Sequence, residues 1–180
     1  MCNISALTVT PCNGNAVGVK GTGYMIPAEE FSSWPAYLTT TTAGDTVKLN
    51  GNFSLVATTN IGYFRSFPCL IEKGSYTATA VGGIGSKTFE EKYTFVIPGV
   101  DAAQLEFLKN LVNIPGVWLC TDKNGVVHVI GSKDDPAYVE TAEGTTGVAA
   151  SDERIITITV RGISASPTVY TGTINTTPNA

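Results

Sequence analysis

The sequence predicts a mainly-β protein, a β-sandwich or barrel-like sheet with one flanking α-helix over about residues 101–113. Three observations predict it. The chain carries 25 Thr, 19 Gly and 9 Pro in 180 residues, a supply of β-branched surface residues and turn formers. Apolar residues alternate with period two along several stretches. The stretch from Lys87 to Gly131 reads as strand, capped helix and tight hairpin in succession. At 18.9 kDa the chain builds one full core, so residues 1–180 are read as a single structural domain. With 43% hydrophobic and 14% charged residues it is too apolar for disorder.

The elements follow in chain order. Pro11-Cys12-Asn13-Gly14-Asn15 is a turn cluster, and Ala16 to Met25 is a Gly-interrupted strand. Ile26 to Trp34 holds about one helical turn around Pro27-Ala28-Glu29-Glu30, too short to stand without packing. From Thr46 to Thr59 the odd positions Val47, Leu49, Phe53, Leu55 and Ala57 are apolar. Such alternation predicts a half-buried strand, or a hairpin turning at Asn50-Gly51. Tyr63 to Glu72 and Tyr76 to Val81 read as strands, and the Gly-rich Val81 to Ser86 as a loop. Lys87 to Ile97 sets Phe89, Tyr93 and Phe95 on one face, with Glu90, Lys92 and Thr94 on the other.

Pro98-Gly99 then breaks the strand. Asp101 and Gln104 have capping-box spacing, and Leu105, Leu108, Leu111 and Val112 form an apolar stripe. Pro115-Gly116 stops the helix. Val117 to Thr121 and Val126 to Ile130 flank Asp122-Lys123-Asn124-Gly125, the residues a tight hairpin turn requires. Ser132 to Glu153 reads as a flexible loop, about residues 131–153, with a short strand at Ala137 to Thr141. Ile155 to Arg161 and Thr168 to Ile174 are the last strands, and the tail NTTPNA frays or reaches a neighbour.

Chemistry finds little support. Net charge is −4 and the 11 basic residues are scattered, so no stripe for nucleic acid is visible. Cys2, Cys12, Cys69 and Cys120 form no C-x-x-C, and His128 is the single histidine, which disfavours a zinc site. Without an export signal, packed reduced thiols are expected rather than disulfides. No window approaches the ~18 apolar residues of a membrane span. The acid pairs Glu29-Glu30, Glu90-Glu91, Asp134-Asp135 and Asp152-Glu153 could seed acid–base or cation sites; solvated surface charge is the simpler reading. His128, flanked by Val127 and Val129, reads as a hydrogen-bonded or exposed strand residue. Gly18 with Gly21-Thr22-Gly23, and Gly82-Gly83-Ile84-Gly85, lack the Lys and the helix of a phosphate loop. Both are expected to be turns or hairpin tips. No catalytic, cofactor-binding or metal-binding residue is therefore assigned, and no enzyme activity is expected.

The strand Phe89 to Phe95, the helix LEFLKNLVN (Leu105 to Asn113), the hairpin VWLCTDKNGVVHVIG from Val117 to Gly131 and the segment Thr145 to Gly162 together resemble phage tail-tube and related virion structural proteins. The opening GVKGTGYMIPAEEF, Gly18 to Phe31, is similar to the start of small prophage-encoded proteins of gut bacteria. The resemblance implies a β-sandwich with a flanking helix that assembles with itself into stacked, often hexameric rings. Inner strands would close a shared barrel, and a long hairpin or loop would reach the next ring. DNA would pass through an acidic lumen without specific binding. Other virion proteins would be the further partners, no membrane is involved, and the protein would reside in the virion tail after assembly in the host cytoplasm. Asp45 to Thr59 and Ser132 to Glu153 are the candidates for the reaching loop. The alternative is a β-sandwich carbohydrate- or surface-binding module that uses the aromatics Phe31, Trp34, Tyr37, Tyr63, Phe64 and Phe67.

Overall fold

A computed structural model describes residues 16–40 and 42–178. The N-terminal turn cluster, Cys2 and Cys12 lie outside the described residues. Among the described residues eleven strands and one α-helix are present: β1 (Val19–Pro27), β2 (Phe31–Ser33), β3 (Ser54–Leu55), β4 (Arg65–Pro68), β5 (Ser75–Val81), β6 (Thr88–Pro98), α1 (Ala102–Leu111), β7 (Gly116–Asp122), β8 (Val127–Ile130), β9 (Tyr138–Thr145), β10 (Ile155–Ser164) and β11 (Thr168–Tyr170). They form a five-stranded sheet in the order β11-β8-β7-β1-β4, a four-stranded sheet in the order β5-β6-β10-β9, and the small ribbon β2-β3. Every ladder within these sheets is antiparallel. This is the mainly-β, one-helix architecture that the composition predicts.

The two large sheets pack face to face. Tyr93, Phe95 and Ile97 of β6 and Ile156, Ile158 and Val160 of β10 meet Met25, Phe67, Trp118, Cys120 and Ile130. Alternation along each strand puts these residues on one side of the pleat, and burying them drives the packing. Strand β1 comes close enough to this layer that a Cβ on Gly23 would lie 2.4 Å from the Phe67 ring.

A second core covers the opposite face of the five-stranded sheet: Ile26, Val117, Leu119, Val129 and Tyr170 pack against Phe31, Leu49, Phe53 and Phe64. Strand β7 is therefore buried on both sides, which accounts for its unbroken run Val117-Trp118-Leu119-Cys120. The β7–β8 hairpin turns as expected: Gly125 has φ +91° and Asp122 Oδ1 accepts from Val126 N at 2.9 Å.

Several expectations are corrected. Thr46 to Thr59 is neither a long strand nor a hairpin at Asn50-Gly51. It is a 3-10 turn (Asp45–Val47), isolated bridges at Lys48 and Leu49, and the short β3. Leu49 and Phe53 still point inward, because the second core takes them without a regular ladder. The strand expected over Tyr63 to Glu72 shrinks to β4. After Pro68 the chain crosses between sheets, Cys69 N donating to Gly21 O at 2.9 Å and Leu70 N to Val96 O at 2.7 Å. The stretch read as a flexible loop contains the eight-residue β9. Asn175, the first residue of the tail, is docked: its carbonyl accepts from Phe64 N at 2.8 Å.

The helix forms with the predicted capping box, Asp101 N donating to Gln104 Oε1 at 3.1 Å. Its inward face differs from the predicted stripe. Leu108 and Leu111 turn inward with Phe107, whereas Leu105 is 47% and Val112 40% exposed. The ring of Phe107 reaches Phe67 at 5.7 Å, and that contact rotates the helix so that positions 104, 107, 108 and 111 face the sandwich.

Candidate assembly surface

The four-stranded sheet is buried on one face only, and both of its terminal strands are edges. Strand β5 pairs with β6 alone and β9 with β10 alone among the described residues. Strand β5, Ser75-Tyr76-Thr77-Ala78-Thr79-Ala80-Val81, carries no charge and no proline. It lacks the devices that ordinarily protect an edge from pairing with another chain. Strand β9 carries Glu140 and Glu143, and a register shift opposite Thr159/Val160 marks a bulge beside Glu140.

The outward face is a threonine lawn with a closed charge network. Thr77, Lys92, Arg161 and Tyr138 align in one row across the four strands. Lys92 Nζ lies 2.8 Å from Glu140 Oε2 and 3.2 Å from Glu90 Oε1. Arg161 Nη2 lies 3.1 Å from Glu90 Oε2. Arg161 and then Lys92 hold the Glu90 carboxyl below its ordinary value. Thr94 Oγ1 and Thr159 Oγ1 share a hydrogen bond of 3.0 Å. Both cations of this face are thus spoken for by carboxylates. At the end of the sheet where β5 meets β6, a cleft of about 750 Å³ opens, lined by Asp134, Asp135, Pro136, Tyr138, Arg161 and Ile163 among others.

The acid pairs separate as strand and loop geometry demands. Glu29 is exposed, but Glu30 is buried and holds Arg65 through Nη2–Oε1 at 2.7 Å, with Gly62 N donating to Oε2 at 2.8 Å. Glu153 pairs with Lys73, and Asp152 Oδ2 accepts from Val148 N and Ala149 N, both at 2.8 Å. Glu90 points outward and Glu91 inward. The expectation of solvated charge is overturned for Glu30 and Glu91, which are 6% and 1% exposed. Tyr76 Oη donates to Glu91 Oε1 at 2.6 Å and Ser164 Oγ to its Oε2 at 2.9 Å. Burial pushes its carboxyl above the ordinary value, against the pull of these donors. Parity along β6 places Glu91 on the face of Phe89, Tyr93 and Phe95. Its ladder neighbours Ala78 and Gly162 are small and leave it room.

The fold also gathers a cysteine, the histidine and an acid. Cys120 and His128 are cross-strand partners, and His128 Nε2 lies 3.4 Å from Asp122 Oδ2 while its ring stacks on Tyr76 at 4.2 Å. The Cys120 thiol is fully buried, and burial, then the charge of Asp122, push it far up and keep it protonated. A protonated, inaccessible thiol packs and does not attack. Cys69 is likewise free and buried, 3.6 Å from Tyr93 Oη. No group of three or more metal-ligating side chains converges, and no helix is long and apolar enough to cross a membrane, among the described residues.

Of the glycine motifs, Gly82 to Gly85 lies at the β5–β6 hairpin tip as expected, whereas Gly21-Thr22-Gly23 lies within β1 and serves close packing. The aromatics divide between core and surface. Phe31, Phe64 and Phe67 are buried, Trp34 is half-buried against Phe31 and Phe53, and Tyr63 lies under Arg65 at 4.5 Å. Tyr37 stays exposed, with its hydroxyl 2.8 Å from Thr168 Oγ1. No protein-family model, curated protein or solved structure matches the chain.

Proposed function

We propose that this chain is a structural subunit of a phage-like particle, a tail-tube protein that closes into stacked, hexameric rings around a DNA conduit. The observation that supports it most is the four-stranded sheet, whose two outer strands have no further partner among the described residues. Neighbouring strands alternate in direction from β5 to β9. Copies related by rotation about a ring axis therefore set β5 of one beside β9 of the next in antiparallel sense, and the sheet continues without interruption. Such a head-to-tail contact closes into a ring when the rotation closes. It also satisfies the backbone groups that a solitary subunit exposes at β5 and β9.

In this reading the outward threonine face lines the lumen. Its two cations are neutralised by Glu90 and Glu140, and Glu143 adds further negative charge, so a polyanion passes without a basic stripe to hold it. The sandwich and α1 stay outside, where other virion proteins would dock, and the site of action is the virion tail. No observation favours the carbohydrate-binding alternative, because the aromatics it would use are largely committed to the core.

Negative-stain imaging of the purified protein tests the proposal: rings or tubes are expected, and a chain that stays monomeric at high concentration would overturn it. Lysines on the uncharged edge, Thr77→Lys with Thr79→Lys, are expected to raise the concentration for half-assembly more than about tenfold. Unfolding of the monomer should shift by less than about 0.5 kcal/mol. Unchanged assembly of that variant would show that β5 is not the joining edge.

A further inference from the structure

We propose that the tip of the β5–β6 hairpin, residues 82–87, seats in the cleft at Asp134 and Asp135 of the neighbouring copy. The inference rests on the β5–β9 pairing of the ring reading and adds the contact that sets its register. Tyr76 on the inward face of β5 is half-buried, yet Ala78 and Ala80 on that same face are exposed. The hairpin therefore overhangs the five-stranded sheet and projects beyond the sandwich. Its tip carries Ile84, 103% exposed, and Lys87, whose Nζ touches a backbone carbonyl at 3.4 Å and no carboxylate among the described residues.

The cleft offers the complementary chemistry. Asp134 and Asp135 are exposed and neither is ion-paired among the described residues. Tyr138, 53% exposed, and Ile163, 48% exposed, supply an apolar wall beside them.

Register brings the two together. The row Thr77–Lys92–Arg161–Tyr138 crosses the sheet at one level. Continuing that level into the next copy sets its Thr77 beside Tyr138. Ala78 to Val81 then run past the start of β9, and Ala80 arrives at the level of Ser164, on the rim of the cleft. At about 3.3 Å per residue, a stagger of two residues toward the cleft lowers the tip by roughly 7 Å onto it. The tip then overhangs the cleft, and Lys87 comes to its acidic rim at Asp134 and Asp135.

Charge reversal on the two sides tests this. Lys87→Glu alone, and Asp134→Lys with Asp135→Lys alone, are each expected to raise the concentration for half-assembly about tenfold, an effect that weakens as salt is raised. Combining all three reversals in one chain restores wild-type assembly. An equimolar mixture of the two variants assembles at concentrations where neither does alone, because alternating copies place Glu on Lys and Lys on Asp. Either variant assembling like the wild type, or a triple-reversed chain that stays impaired, overturns the inference and leaves the ring reading intact. The same holds for Lys87→Glu rings that form normally but fail to stack. A wild-type chain that never assembles overturns both. Unfolding curves of each variant confirm that the monomer is folded.

Discussion

The two large sheets obey the same pleat and end with opposite characters. The five-stranded sheet is a middle layer, covered by the four-stranded sheet on one face and by Phe31, Leu49, Phe53 and Phe64 on the other. Its central strand β7 reads as continuous apolar sequence. The four-stranded sheet is covered once, so β6 and β10 alternate, and its outer face holds threonines and paired charges. Burial on both sides makes a sheet carry stability. Burial on one side leaves one face and, among the described residues, two edges uncovered. The difference separates the layer that carries stability from the layer that leaves backbone and side chains open to water.

Truncating one side chain to Ala in each sheet tests this difference most strongly. Leu119→Ala in β7 is expected to cost about 3 kcal/mol of unfolding free energy, since Leu119 is fully buried in the second core. Thr157→Ala on the outer face should stay within about 0.5 kcal/mol. Denaturant titration of both variants decides it, and similar losses would mean that the outer face is loaded too. A smaller effect concerns the helix that lies at the end of the sandwich. Asp101→Ala removes the helix cap and should cost about 1 kcal/mol, read from the same titration.

The smallest effect concerns Glu30, which is held by Arg65, and Glu91, which is bonded by the Tyr76 and Ser164 hydroxyls and the Thr168 backbone but by no cation. Because burial raises the Glu91 carboxyl, the folded chain binds that proton more tightly than the unfolded chain does. Stability present at low pH is therefore lost as pH rises from the ordinary value of 4.5 through the raised folded value, and is flat above it. Glu91→Gln should abolish that part of the pH dependence, measured as unfolding midpoints across the acid to neutral range. Identical slopes in the two proteins would remove Glu91 as their source.

Much of this was legible from local pattern. The capping box at Asp101 and Gln104, the Asp122 to Gly125 turn and the alternation of β6 depend on neighbours within a few residues, where backbone sterics decide. What failed did so for nonlocal reasons. Of the odd positions from Val47 to Ala57 only Leu49 and Phe53 are buried and Ala57 is exposed, because most of that stretch has no ladder to hold the alternation. The helix stripe missed Phe107 because its orientation is set by Phe67, which lies far away in the chain. Glu91 was readable by parity along β6. Only the sheet register revealed that Ala78 and Gly162 leave space for a carboxylate and that Tyr76 and Ser164 reach it.

The candidate surface divides in the same way. An uncharged, threonine-rich Ser75 to Val81 can be read directly from the chain. That it is an edge, and that Asp134 and Asp135 open into a cleft at the level its hairpin reaches, depends on the strand order β5-β6-β10-β9. Composition and period dictated strands, turns and one capped helix, because these follow from short-range sterics and from which side chains avoid water. Which strands became neighbours, which faces were covered twice, and which edges stayed open were settled only when distant segments packed, because those choices are made by contacts between residues far apart in the chain.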